Sequence, residues 1–283
     1  ADICVCTDLD EVFEKGWRQK LENAWQKDIK QARYQYNWSL DEKNRPEVSF
    51  YNFKIHSRFD FVWKNPVHEY LEYQGQDYKV VFIEDLILNH YPDKNKSRAS
   101  YLSLLELSVK ENPQDSRSWY YLGREYKLLG MWDKSIKTLK KYLELDTSTW
   151  KDERAAALRD IAKCYLNKSD YSNAYQYYWK AIYENPSIRE TYAEFAQVAY
   201  YNEDYLTVAN MAKKAFRIKS RSKNYISESF AWDWTLPDIA AIACYNLKQY
   251  DQALKYAKIA YELNPDDQRL KDNYEFIKSI IKN

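Results

Sequence analysis

Small residues recur in this chain at a spacing that suits paired helices. Ala162 and Ala196 lie 34 residues apart, each inside an apolar stripe of helical period and each followed by a second such stripe. Upstream, in the run Trp119-Tyr120-Tyr121-Leu122-Gly123-Arg124-Glu125-Tyr126, Gly123 sits among large apolar residues. A residue that small lets two helices approach closely. Units of this length bury their apolar faces by stacking on their neighbours, so the second part of the chain is committed to an array of helical hairpins.

Trp119, Leu122, Gly123 and Tyr126 match the W-x-x-L-G-x-x-Y signature of a tetratricopeptide first helix, and that resemblance predicts the rest. A second repeat from Ala155 has Ala162 in the small position, Ala174 and Ala181 in its second helix, and Pro186 at its end. A third keeps Ala196, Ala212 and Ala215, and a fourth keeps Ala241, Ala253, Ala257, Ala260 and Pro265. The other intervals, 39 residues from Gly123 to Ala162 and 45 from Ala196 to Ala241, exceed the period. The excess falls in residues 146–153 and 219–238, which therefore read as insertions. The longer one holds Tyr225, Phe230, Trp232 and Trp234, either a binding lip or aromatics packed over the array, and packing is the usual fate of such residues in long loops. Gln268 to Ile281 reads as a capping helix. The resemblance implies a curved solenoid whose concave face holds a protein segment, or an arm that stiffens or dimerises the chain.

Residues 1 to about 95 read differently. An alternating segment at Ile3–Val5 ends in three acids, Asp8, Asp10 and Glu11, and a helical pattern follows with Phe13, Trp17, Leu21 and Trp25 four apart. Acids at such a place cap a helix and complement its dipole. Two aspartates one residue apart also suit one hard cation. Four runs rich in aromatic and β-branched residues come next, at 32–41, 47–57, 59–73 and 78–91, and each reads as strand. There are too few parallel crossovers for a nucleotide-binding sheet.

The runs CTDLDEVFEKGWRQKL, FYNFKIHSRFDFVWKNPVHEYLEY and LILNHYPDKNKSRASYLSLLELSVKENP together resemble the second half of the catalytic domain of family 2 glycosyltransferases, in particular members with tetratricopeptide repeats after that domain. The resemblance implies an α+β chain: residues 1–96 as the C-terminal half of a GT-A type α/β domain, and residues 97–283 as an all-α repeat solenoid. It implies metal-dependent, inverting transfer of a sugar from a nucleotide-sugar donor to a glycan or protein acceptor. Asp8 and Asp10 would hold Mn²⁺ or Mg²⁺ on the diphosphate, with His90 as a third ligand, or His90 would simply end its strand. Glu69 would be the base; from spacing alone, His68 and Glu69 read as a salt pair at a strand end. Lys94, Lys96 and Arg98 would steady the leaving diphosphate, or lie solvated in a loop. The part of that family that holds the donor base precedes the aspartates, so the chain reads as a fragment of a longer enzyme. The alternative is a non-enzymatic tetratricopeptide scaffold carrying an incomplete catalytic domain.

Charge and composition bound these readings. The 43 Lys and Arg balance 42 Asp and Glu, which argues against a nucleic-acid partner. With 28 Tyr and 10 Trp but only 4 Gly, the composition favours helix-rich packing with ring hydroxyls satisfied at the rim. No apolar run approaches the roughly 18 residues of a membrane helix. Cys4, Cys6, Cys164 and Cys244 lack metal-site spacing and read as free thiols in a reducing compartment, so the expectation is a soluble, cytoplasmic chain.

Overall fold

The computed structural model describes residues 2–92 and 101–282. The expected junction at residue 96, and with it Lys94, Lys96 and Arg98, lies outside the described residues. The chain divides into two compact units, residues 1–126 with 222–225, and residues 127–221 with 226–283.

In the first unit every aromatic and β-branched run becomes a strand. The strands are β1 (Ile3–Val5), β2 (Glu11–Phe13), β3 (Ile29–Leu40), β4 (Pro46–Ser57), β5 (Phe61–Lys64), β6 (Tyr70–Tyr73) and β7 (Lys79–His90). Five form a sheet in the order β1-β4-β3-β7-β2, and β5 and β6 make a separate hairpin. Only β3 and β7 run parallel in that sheet. The helical pattern read from Phe13 onward is displaced. Glu11, Val12 and Phe13 pair instead with His90, Asn89 and Leu88 of β7, and α1 (Trp17–Ala24) starts only after Gly16 turns the backbone at φ 81°. Ladder hydrogen bonds and burial of Phe13 outweigh a local helical preference.

The helix then covers one face of the sheet. Leu21 joins Tyr34, Ile55, Leu86 and Leu88 in a core where Tyr34, Ile55, Leu86 and Leu88 are wholly buried, with Phe13 and Trp17 packed at its edge. A second cluster joins Val67 to Leu105 of α2 (Tyr101–Glu111) and to Leu122 and Tyr126 of α3 (Ser116–Leu128).

The second unit is a run of antiparallel hairpins. It holds α4 (Trp132–Glu144), α5 (Lys151–Asn167), α6 (Tyr171–Glu184), α7 (Arg189–Tyr201), α8 (Tyr205–Ala215), α9 (Thr235–Asn246), α10 (Tyr250–Leu263) and α11 (Gln268–Lys282). Each helix packs on the next, and α5, α7 and α9 also meet side by side. The expected alanines are buried: Ala162, Ala174, Ala181, Ala196, Ala212, Ala215 and Ala253 have no exposed surface. Seven residues after each small residue at 123, 162, 196 and 241, the chain turns through a left-handed residue: Gly130, Ser169, Glu203 and Lys248, with φ between 57° and 71°. Helix-ending bonds follow, from the amides of Asp170, Asp204 and Gln249 to the carbonyls of Tyr165, Ala199 and Cys244. All four cysteines are free, and among the described residues no helix is long and apolar enough to cross a membrane.

Candidate functional site

Asp8 and Asp10 sit in the turn between β1 and β2, Glu11 opens β2, and the three do not share one partner. Asp8 Oδ2 is 3.2 Å from Lys54 Nζ. Lys54 also reaches Glu11 Oε1 at 3.6 Å, where the carboxylate is buried and its other oxygen accepts from the Asp8 amide at 2.9 Å. Asp10 Oδ2 instead lies 3.5 Å from His90 Nε2, while His90 Nδ1 is 2.9 Å from the Trp38 carbonyl. Glu69 is exposed, at the rim of a cleft of about 320 Å³ that it shares with Cys6, Thr7, Asp8, Lys54 and Trp63. Thus Asp8, paired with Lys54, and Glu69 line one cleft, and Asp10 and His90 form a separate pair. Among the described residues no group of three or more His, Cys, Asp or Glu is placed to hold a metal ion. His68 does not pair as expected; it stacks on Tyr121 at 3.5 Å and meets the Tyr101 hydroxyl at 2.7 Å.

A denser set of charges lies in the second unit, on the first helices of the hairpins. Arg159 on α5 is among the largest fully enclosed side chains, 2% exposed. Its Nη2 lies 3.1 Å from Glu194 of α7 and 2.5 Å from Glu228 of the long insertion. Lys163, one turn further on, reaches the same Glu194 oxygen at 2.7 Å. Asp160 pairs with Lys127. Burial works against the charge on Arg159 and Lys163, but Glu194, joined by Glu228 at Arg159 and Asp160 at Lys163, outweighs it and holds both above their usual ranges. Burial, with Glu194 adding to it, pushes the Tyr178 hydroxyl well up.

The insertion seats itself on this face. Glu190 Oε1 on α7 accepts from the Ser227 hydroxyl at 2.9 Å, the Glu228 amide at 3.2 Å and the Trp232 indole N–H at 3.0 Å. The Arg189 guanidinium lies 4.6 Å from the Trp232 ring. Between them Ser229–Ala231 makes one short 3-10 turn packed on α7 and α9. Further on, Arg269 of α11 holds Asp238 with two bonds of 3.1 and 2.9 Å and lies over Trp234. Trp232 thus packs over the array, as expected of loop aromatics, whereas Tyr225 belongs to the first unit, edge-on to Phe50.

Sequence reasoning missed Arg159, Lys163, Glu190 and Glu194. One signal was present: a full arginine and lysine placed four apart in the otherwise alanine-rich first helix of the second repeat. A separate apolar cleft of about 610 Å³ opens between the ends of α4, α5 and α6, where Leu143, Leu158, Trp179, Ile182 and Tyr183 line it and Tyr183 is 91% exposed.

Residues 116–149, which include α3 and α4, match the tetratricopeptide repeat family. No curated protein matches the sequence significantly. Among solved structures the chain is similar to YrrB, described as a TPR protein with an unusual peptide-binding site: 16% identity, 63% of this chain and 84% of that one, TM-score 0.50. It is equally similar to the C-terminal part of a TPR repeat-containing protein from Cytophaga hutchinsonii, at 16% identity, 63% and 64% coverage and TM-score 0.50. These likenesses show the fold of the helical part, a tetratricopeptide-like solenoid.

The glycosyltransferase reading is corrected on these findings. The family match and the similar structures are tetratricopeptide-repeat proteins, and they support the scaffold alternative better than an enzyme. A GT-A domain is not confirmed: among the described residues the N-terminal sheet holds a single parallel pair, which is not a doubly wound sheet. Asp8 lies beside Lys54 and Asp10 beside His90, so the two have separate partners, and the nucleotide-sugar donor has no support.

Proposed function

We infer that this chain is a tetratricopeptide interaction scaffold whose array of first helices binds an extended segment of a protein partner. The observation that carries the reading is the charge cluster on α5 and α7, in which Arg159, Glu190 and Glu194 are buried and Lys163 is partly exposed. A buried ion cluster is a poor way to stabilise a helical array, because well-packed apolar residues of similar volume do as well or better. Charges held there against desolvation, on neighbouring first helices, fit recognition of a polar segment. The likeness in fold to YrrB, whose description includes a peptide-binding site, supports the same class of ligand.

The test is a random-peptide display library panned against the full chain. Recovered peptides are expected to bind with Kd values of about 1–100 μM. They should lose about tenfold when the partly exposed Lys163 becomes glutamate, a change that places like charges side by side with Glu194. Failure to recover any peptide, or recovered peptides indifferent to Lys163→Glu, would overturn the reading.

A further inference from the structure

The insertion displays the chemistry of what its seat is built to hold. Four observations bear on this. First, Glu228 stays 42% exposed at its side chain while its partner Arg159 is 2% exposed, so the carboxylate enters from the rim of the array. Second, Arg159 Nε and Nη1 are buried without a hydrogen-bond partner among the described residues, as are both oxygens of Glu194, so the polar groups under the insertion are incompletely paired. Third, Glu190 reads a hydroxyl, an amide and an indole N–H of one short stretch, as a receptor reads a peptide. Fourth, the stretch has only three residues of regular structure, Ser229–Ala231.

Charge then decides which segment fits. With Glu228 withdrawn, Arg159 loses its nearest carboxylate, 2.5 Å from Nη2, and keeps Glu194 at 3.1 Å, an oxygen that it shares with Lys163. The uncovered face then holds a buried guanidinium short of the carboxylate that met it, beside a buried acceptor at Glu190.

We propose that the face of α5 and α7 under Ile226–Trp232 is a docking site for an acidic partner segment bearing a carboxylate and, four residues later, a tryptophan, and that the insertion is its internal competitor. The proposal rests on the scaffold reading and specifies its ligand and its regulation. A tethered competitor acts at an effective concentration of about millimolar, so a free segment of equal intrinsic affinity is largely excluded until the insertion releases.

The probe is a fluorescent synthetic peptide of residues 226–234, followed by anisotropy against the full chain and two full-length variants, Glu228→Gln and Glu228→Gln with Trp232→Ala. Circular dichroism establishes that each variant keeps its helices. The peptide is expected to bind the double variant at least about tenfold more tightly than the natural chain, with Glu228→Gln alone between them. Replacing the glutamate of the peptide by glutamine should weaken binding to the double variant about tenfold. Equal affinity for all three proteins, or no binding to either folded variant, overturns the proposal. A dimer of the natural chain that dissociates on Glu228→Gln, seen by light scattering, overturns it too by giving the face to a second copy. If library peptides still bind through Lys163 while this peptide does not, the scaffold reading survives the failure; if nothing binds, both fall.

Discussion

Glu190 shows how much one buried acceptor can organise. Its carboxylate serves three donors from the insertion, and a buried donor left without its acceptor costs about 1–3 kcal/mol. Glu190→Ala is therefore expected to destabilise the second unit by about 3 kcal/mol, read as a drop in the urea midpoint of helix loss. Glu22→Ala, which removes the exposed i,i+4 pair with Arg18, should leave that midpoint unchanged. Equal effects from both would mean that the Glu190 contacts do not form. At this scale the sequence was least informative. Asp8, Asp10, Glu69 and His90 could be picked out as chemistry-bearing residues, but Lys54, which draws Asp8 to itself, could not, since 46 residues separate the two. The same holds for Glu228 and Arg159, 69 residues apart.

Elements were far more legible, because what defines them is local. The aromatic and β-branched runs became β3 to β7, and the alanines at repeat spacing became the buried seams of α5 to α10. The exception, β2 in place of a longer first helix, arose where a distant strand offered a better partner than the next turn of helix. The hairpin turns make two predictions. Gly130 occupies the left-handed position at φ 71°, with room for a Cβ that would stand 3.6 Å from Trp132, so Gly130→Ala should cost about 1 kcal/mol through backbone strain rather than collision. Thermal melts of the variant should show the corresponding fall. Directly after the left-handed residue, Asp170 and Asp204 cap their helices by accepting from the amides of Asn173 and Thr207, each at 3.1 Å, whereas Gln249 makes no such bond. Gln249→Asp should raise stability by about 0.5–1 kcal/mol. No gain would mean that α10 starts elsewhere.

For the whole molecule, the abundance of tyrosine sets a pH limit. Burial first, and Glu153 after it, holds the Tyr142 hydroxyl far above the ordinary phenol range, and burial does the same for Tyr34 and Tyr178 with Glu11 and Glu194 adding to it. Tyr126 is pushed up to about 12 by burial and its bond to Glu106. A raised folded pKa means that the native state keeps a proton the unfolded chain releases. This stability is fully present below pH about 10 and is lost as pH rises, by about 1.4 kcal/mol per unit for each such tyrosine. A share of the tyrosinate absorbance should therefore appear only together with helix loss, in a steep step above pH about 10; full development of the absorbance with helices intact would mean that these buried rings are open to water. By itself the sequence determined the repeat architecture and the existence of nearly every element, since periodicity, small residues and turn residues act within a few turns of the chain. Only the tertiary structure decided which charges meet, separating Asp8 from Asp10 and seating Glu228 on Arg159, because the partner of a charge is set by what packing brings within a few ångströms and leaves no period in the sequence.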